Sequence, residues 1–149
     1  MEYVDAVKLI APCGLDCSRC ADYKYGGIKK LSTDLLELLG NYERVAAMKS
    51  RTKPFYANYS HFKELLSSFT QASCGGCRDT DTQCPIPDIC IAGNCSKEKG
   101  VDFCFQCSDY PCERQSGGDF GDRWKKRNDR MKEVGVIQFY EEQKRLPRY

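Results

Sequence analysis

Between positions 31 and 70 the apolar residues recur with the period of a helix. Leu35, Leu36, Leu38 and Leu39 follow Ser32 or Thr33, either of which can cap a helix, and Gly40 stands where a C′ glycine would close it. Asn41 is the candidate cap of a second piece carrying Val45, Ala46 and Met48, which ends before Pro54. Phe62, Leu65, Leu66 and Phe69 fall at i, i+3, i+4 and i+7, with Ser60 as a cap, and predict a third, amphipathic helix. That stripe reads as core rather than as a partner groove, because a helix needs somewhere to bury such a face.

The pattern stops at Cys74. From there to Cys112 the chain is rich in Gly, Pro, Asp and Asn, a composition of turns without hydrophobic period. A stretch this long is improbable in a compact domain unless something other than an apolar core orders it. The helical signal returns in the charged run Asp122 to Val134, with Gly135 as a C-cap. Val136, Ile137, Phe139 and Tyr140 then open a last short helix that Pro147 ends. The expectation is one small α-rich domain over residues 1–149, with little β structure and an irregular, metal-stabilised portion built of zinc-knuckle loops. Its stretches are an N-terminal cysteine knuckle (1–30), a helical part (31–70), cysteine-rich loops (71–115) and C-terminal helices (116–149).

Composition supplies the ordering agent. Eleven of the 149 residues are Cys, and without them and the nine Tyr the apolar core is modest. Acids interrupt the N-terminal stretch where a signal peptide needs an apolar run, and no segment approaches the roughly 18 apolar residues of a membrane span. The chain therefore reads as cytoplasmic, where paired thiols hold metal more often than disulfide. The odd count would also leave a thiol over in a pure disulfide framework. A net charge of +2 implies no overwhelming attraction to nucleic acid or anionic lipid.

The cysteines are grouped. Cys13, Cys17 and Cys20 stand near the start; Cys74, Cys77, Cys84, Cys90, Cys95, Cys104, Cys107 and Cys112 crowd the later stretch. Three Cys-x2-Cys pairs occur, Cys17/Cys20, Cys74/Cys77 and Cys104/Cys107. Two intervening residues let both sulfurs face one ion while backbone N–H groups point at them, and Gly75-Gly76 suits a knuckle that needs positive φ. All eleven are candidate ligands, and tetrahedral Zn²⁺ at two or more sites is the expected cofactor. One grouping puts Cys13, Cys17 and Cys20 with a member of Cys104/Cys107/Cys112, and Cys74 and Cys77 with two of Cys84, Cys90 and Cys95. Pairings between distant groups do not follow from spacing.

An iron–sulfur cluster uses the same thiolates and is the alternative. Cys13-x3-Cys17-x2-Cys20 has the spacing of a radical S-adenosylmethionine cluster, but the chain lacks a barrel's βα repeats, and Arg19 stands where an aromatic is usual. Cys74-Gly75-Gly76-Cys77 lacks the strand that precedes a thioredoxin-like dithiol. His61, the only histidine, is a candidate ligand or base whose plainer role is on a helix surface. Trp124 with Lys125, Lys126 and Arg127 is the best candidate nucleic-acid patch, although Asp122, Asp129 and Glu133 dilute its field. The reading leans away from an enzyme and toward a metal-stabilised binding or adaptor protein with a protein partner and no membrane. A redox protein and a nucleic-acid binder are the alternatives.

Cys13-Gly14-Leu15-Asp16-Cys17-Ser18-Arg19-Cys20 with Tyr23 or Tyr25, Cys74-Gly75-Gly76-Cys77-Arg78, and the run from Lys99 through Cys104-Phe105-Gln106-Cys107 to Tyr110-Pro111-Cys112 together resemble a prokaryotic family. That family is domain of unknown function 3795, and the resemblance runs from Ala11 to about Gln143. It implies a cysteine-rich, zinc-binding protein and brings no activity. Some relatives continue into a further zinc-ribbon pair after a segment like Arg145-Leu146-Pro147-Arg148-Tyr149.

Overall fold

A computed structural model describes residues 1–79, 81, 90–115 and 118–149; side chains at 118–120 are outside the description. Its α-helices are α1 (Tyr3–Leu9), α2 (Gly27–Leu39), α3 (Tyr42–Lys49), α4 (Tyr59–Thr70), α5 (Ala92–Lys99), α6 (Gly118–Val134) and α7 (Val136–Lys144). Among the described residues β structure amounts to two isolated bridges, Ile10 with Asp16 and Tyr23 with Cys74. The α-rich, strand-poor expectation stands.

The helix starts differ from those read off the sequence. α2 begins at Gly27, so Ser32 is a buried residue of its interior and not its cap. α4 starts after Asn58, behind a 3-10 turn at Pro54–Asn58, and Ser60 lies within it. Asn41 does precede α3, without a side-chain capping bond. Gly135, at φ +82°, separates α6 from α7 as expected, because only glycine takes that backbone at low cost.

Two helices were not foreseen. α1 packs against α7, and α5 lies inside the segment read as loop and carries Cys95. Its buried side is Ala92 and Ser96, small residues that leave no aliphatic period to read.

The main apolar core joins α1, α6 and α7 through Ala6, Ile10, Met131, Val136, Phe139 and Tyr140, with Phe103 inserted from the cysteine-rich segment. A second cluster, Ala11, Cys13, Ala92 and Trp124, is surrounded by cysteines. The α2–α4 pair buries less. Leu66 is buried, but Phe62 and Leu65 are exposed, as are Leu31, Leu35 and Leu38 on α2. The stripe expected to be core on α4 is thus only half covered.

Asn128 ties the two clusters together. It is fully buried; its Oδ1 accepts from Phe105 N (3.0 Å) and its Nδ2 donates to Trp124 O (3.1 Å). Removing the amide leaves the Phe105 N–H without its acceptor, a cost of about 1–3 kcal/mol. Asn128→Ala should lower stability by that amount in urea denaturation. A change within about 0.5 kcal/mol, the range of a bland surface substitution, would deny Asn128 this role.

Candidate metal centre

Each Cys-x2-Cys pair folds as a tight turn. Cys17–Arg19 and Cys104–Gln106 are 3-10 turns, closed by Cys20 N to Cys17 O (3.0 Å) and Cys107 N to Cys104 O (3.1 Å). In the third pair Gly76 adopts φ +93° and its N–H donates to Cys74 Sγ (3.4 Å), the knuckle geometry read from the sequence. Gly75 has no room for a side chain, since the Asp79 carboxylate occupies the place a Cβ would take. Asp79 in turn pairs with Lys24 at 2.6 Å.

Backbone bonds between distant stretches bring the turns together. Cys74 N donates to Asp22 O and Lys24 N to Cys74 O, both at 2.9 Å, which sets the second knuckle beside the first. Cys104 N donates to the buried Pro12 O (3.0 Å), which draws in the third.

The outcome is a partition. Cys13, Cys17, Cys20, Cys74, Cys77 and Cys90 line one cavity of about 80 Å³. Cys95, Cys104, Cys107 and Cys112 line another of similar volume. All ten described cysteines therefore face one cavity or the other; Cys84 lies outside the described residues. The cavities gather the cysteines otherwise than in the ligand sets expected above. The first three cysteines keep company with Cys74, Cys77 and Cys90, and the Cys104 group takes Cys95.

As the side chains stand, no three described His, Cys, Asp or Glu groups converge on a common point to hold an ion. Hydrogen bonds pair four of these thiols, Cys13 with Cys90 and Cys17 with Cys77. Cys13 is fully buried and held in its thiol form by its hydrogen bond to Cys90 and by burial; that same bond brings Cys90 down to about 6. Cys17 is likewise pushed well up by its bond to Cys77 and by burial, while Cys77 is lowered by it. Burial raises Cys104 to about 11, opposed by the N–H of Trp124.

Two orphaned donors bear on what these cavities suit. Trp124 Nε1 and Arg148 Nε are buried without a hydrogen-bond partner. Trp124 lines the four-cysteine cavity, where its N–H acts to lower Cys104. Arg148 lines the six-cysteine cavity. A buried N–H left unpaired is costly, and an anionic sulfur is the acceptor each cavity can offer. A thiolate buried there needs a cation, so soft donors with buried N–H groups beside them fit a thiophilic metal ion.

Other candidates fall elsewhere. His61 is exposed on α4 and lines neither cavity. Trp124 is 1% exposed and stands edge-on to Tyr110 (5.3 Å), so the base-stacking role read for it has no accessible ring. Lys125 and Lys126 are exposed, with Lys125 paired to Asp129 at 2.5 Å, and Arg127 is half-buried against Gly14. Sequence reading missed Arg19, whose Nε bonds the buried Asp16 (2.6 Å) and whose Nη groups hold Leu146 O (2.8 Å) and Gln143 O. The Asp16/Arg19 spacing, i and i+3 around a knuckle, was the available signal.

Among the described residues no helix is long and apolar enough to cross a membrane. The sequence profile of the family described as Protein of unknown function (DUF3795) matches residues 9–117. No curated protein and no solved structure matches the chain.

Proposed function

This chain belongs to the DUF3795 family, a membership that carries no activity with it, and from its own residues we propose a zinc-binding protein whose task is binding another protein. The observation that supports this is the division of ten cysteines between two cavities, each lined by a residue with a buried N–H donor. Cys95, Cys104, Cys107 and Cys112 would hold one Zn²⁺. Four of the six thiols Cys13, Cys17, Cys20, Cys74, Cys77 and Cys90 would hold the other. Zinc in a closed four-thiolate site supplies a cross-link and no open coordination position. Such thiolates survive best in a reducing compartment, in keeping with a cytoplasmic protein. The lone histidine lies on α4 away from both cavities, so it gives no cysteine a basic partner.

One observation favours a second reading. Six thiols face the first cavity where a tetrahedral ion takes four, and an iron–sulfur cluster there would make the protein a redox one. Elemental analysis and an absorption spectrum after anaerobic purification separate the two. Two zinc ions per chain and no visible absorption are expected. Iron with acid-labile sulfide would replace the zinc reading with the second, and protein devoid of bound metal would end both.

A further inference from the structure

We propose that the segment Leu146–Tyr149 clasps the six-cysteine site, and that Arg148 donates its Nε–H to a metal-bound thiolate there. This rests on the zinc reading above. The clasp is built from the first knuckle outward. Asp16, 4% exposed, accepts from Ser18 N (3.0 Å) and Ser18 Oγ (2.5 Å) and fixes the Arg19 guanidinium. Arg19 then holds the carbonyls of Gln143 and Leu146, which sets the direction of the last residues. Tyr149 Oη accepts from Ala21 N (2.8 Å) and donates to Cys20 Sγ (3.6 Å). Between these two anchors Arg148 reaches the cavity, with its Nε buried and without an acceptor.

Charge gives the site a reason to need it. Four thiolates on a divalent ion leave two negative charges in a partly buried place, and N–H donors and cations must offset them. Arg148 lines the cavity, and Arg127 is close enough to feel Cys13. Arg148 is thus a positioning residue that acts on the thiolates and holds no metal itself.

Second partners of this kind change metal affinity by about 10–100-fold. The test is zinc release to a chromogenic chelator from the zinc-loaded chain, followed as two phases. Arg148→Ala should speed one phase on the order of 10–100-fold and leave the other at its wild-type rate. Arg148→Lys keeps the charge without the Nε–H and should recover part of the retention. Tyr149→Phe, which keeps the ring, should speed the same phase by a smaller factor. Identical release from wild type and Arg148→Ala would overturn the role of Arg148, and full recovery by Arg148→Lys would overturn the hydrogen bond. A wild-type chain that takes up no zinc would instead overturn the reading on which the inference rests.

Discussion

Removal of bound zinc by a strong chelator, in reducing buffer, should unfold this chain at room temperature, and restoring zinc should refold it. The main apolar core is small, with Ile10, Phe103, Met131 and Phe139 as its largest fully buried members. The second cluster fills with sulfur the space that aliphatic side chains fill elsewhere. The α2–α4 pair leaves Leu31, Leu35, Leu38, Phe62 and Leu65 exposed and adds little burial. Structural zinc contributes about 10–16 kcal/mol in small peptide systems, as much as the whole net stability of an ordinary domain, about 5–15 kcal/mol. Losing one site would therefore consume the margin, and losing two leaves none. Far-UV circular dichroism with a thermal scan checks this. Metal-free protein that melts within a few degrees of the loaded form would show that the thiols carry no part of the fold.

Local features of this structure were legible in the sequence, and pairings were not. The Gly-Gly knuckle and the Gly135 break follow from backbone chemistry that acts within a few residues. The partition of the cysteines follows from bonds such as Cys74 N to Asp22 O and Cys104 N to Pro12 O, between residues that spacing cannot relate. α5 escaped notice because its buried face is made of Ala92 and Ser96 beside Cys95, so no aliphatic period marks it. Trp124 was misread for a different reason. Trp124, Asn128 and Met131 lie at i, i+4 and i+7 and are all 1% exposed or less, a buried stripe present in the sequence but hidden among lysines and arginines. Weighing the period above the charge would have placed that ring inside.

The second large effect belongs to Arg78, the residue after the Gly-Gly knuckle. Its Nη1 donates to Val7 O (2.6 Å) and to Ile10 O, its Nη2 to Asp102 O, and its guanidinium lies 5.1 Å from the centre of the Phe103 ring. One side chain thus joins the end of α1, the Cys74/Cys77 turn and the approach to Cys104. Its burial disfavours the charged form, so the surrounding carbonyls must compensate it. Hydrogen bonds from a charged group are worth about 1.5–3 kcal/mol each and do not add in full where they share one donor. Arg78→Ala should then cost about 3–5 kcal/mol, since it strips carbonyls at three points and leaves a void beside Phe103. Arg78→Lys should recover little of this, because a single ammonium cannot span the fork or stack on the ring. Urea denaturation of the zinc-loaded variants, with zinc content measured alongside, tests the claim. A lysine variant as stable as wild type would reduce Arg78 to a mere positive charge. A loss of stability only in step with a loss of zinc would move its effect from the backbone carbonyls to the metal site.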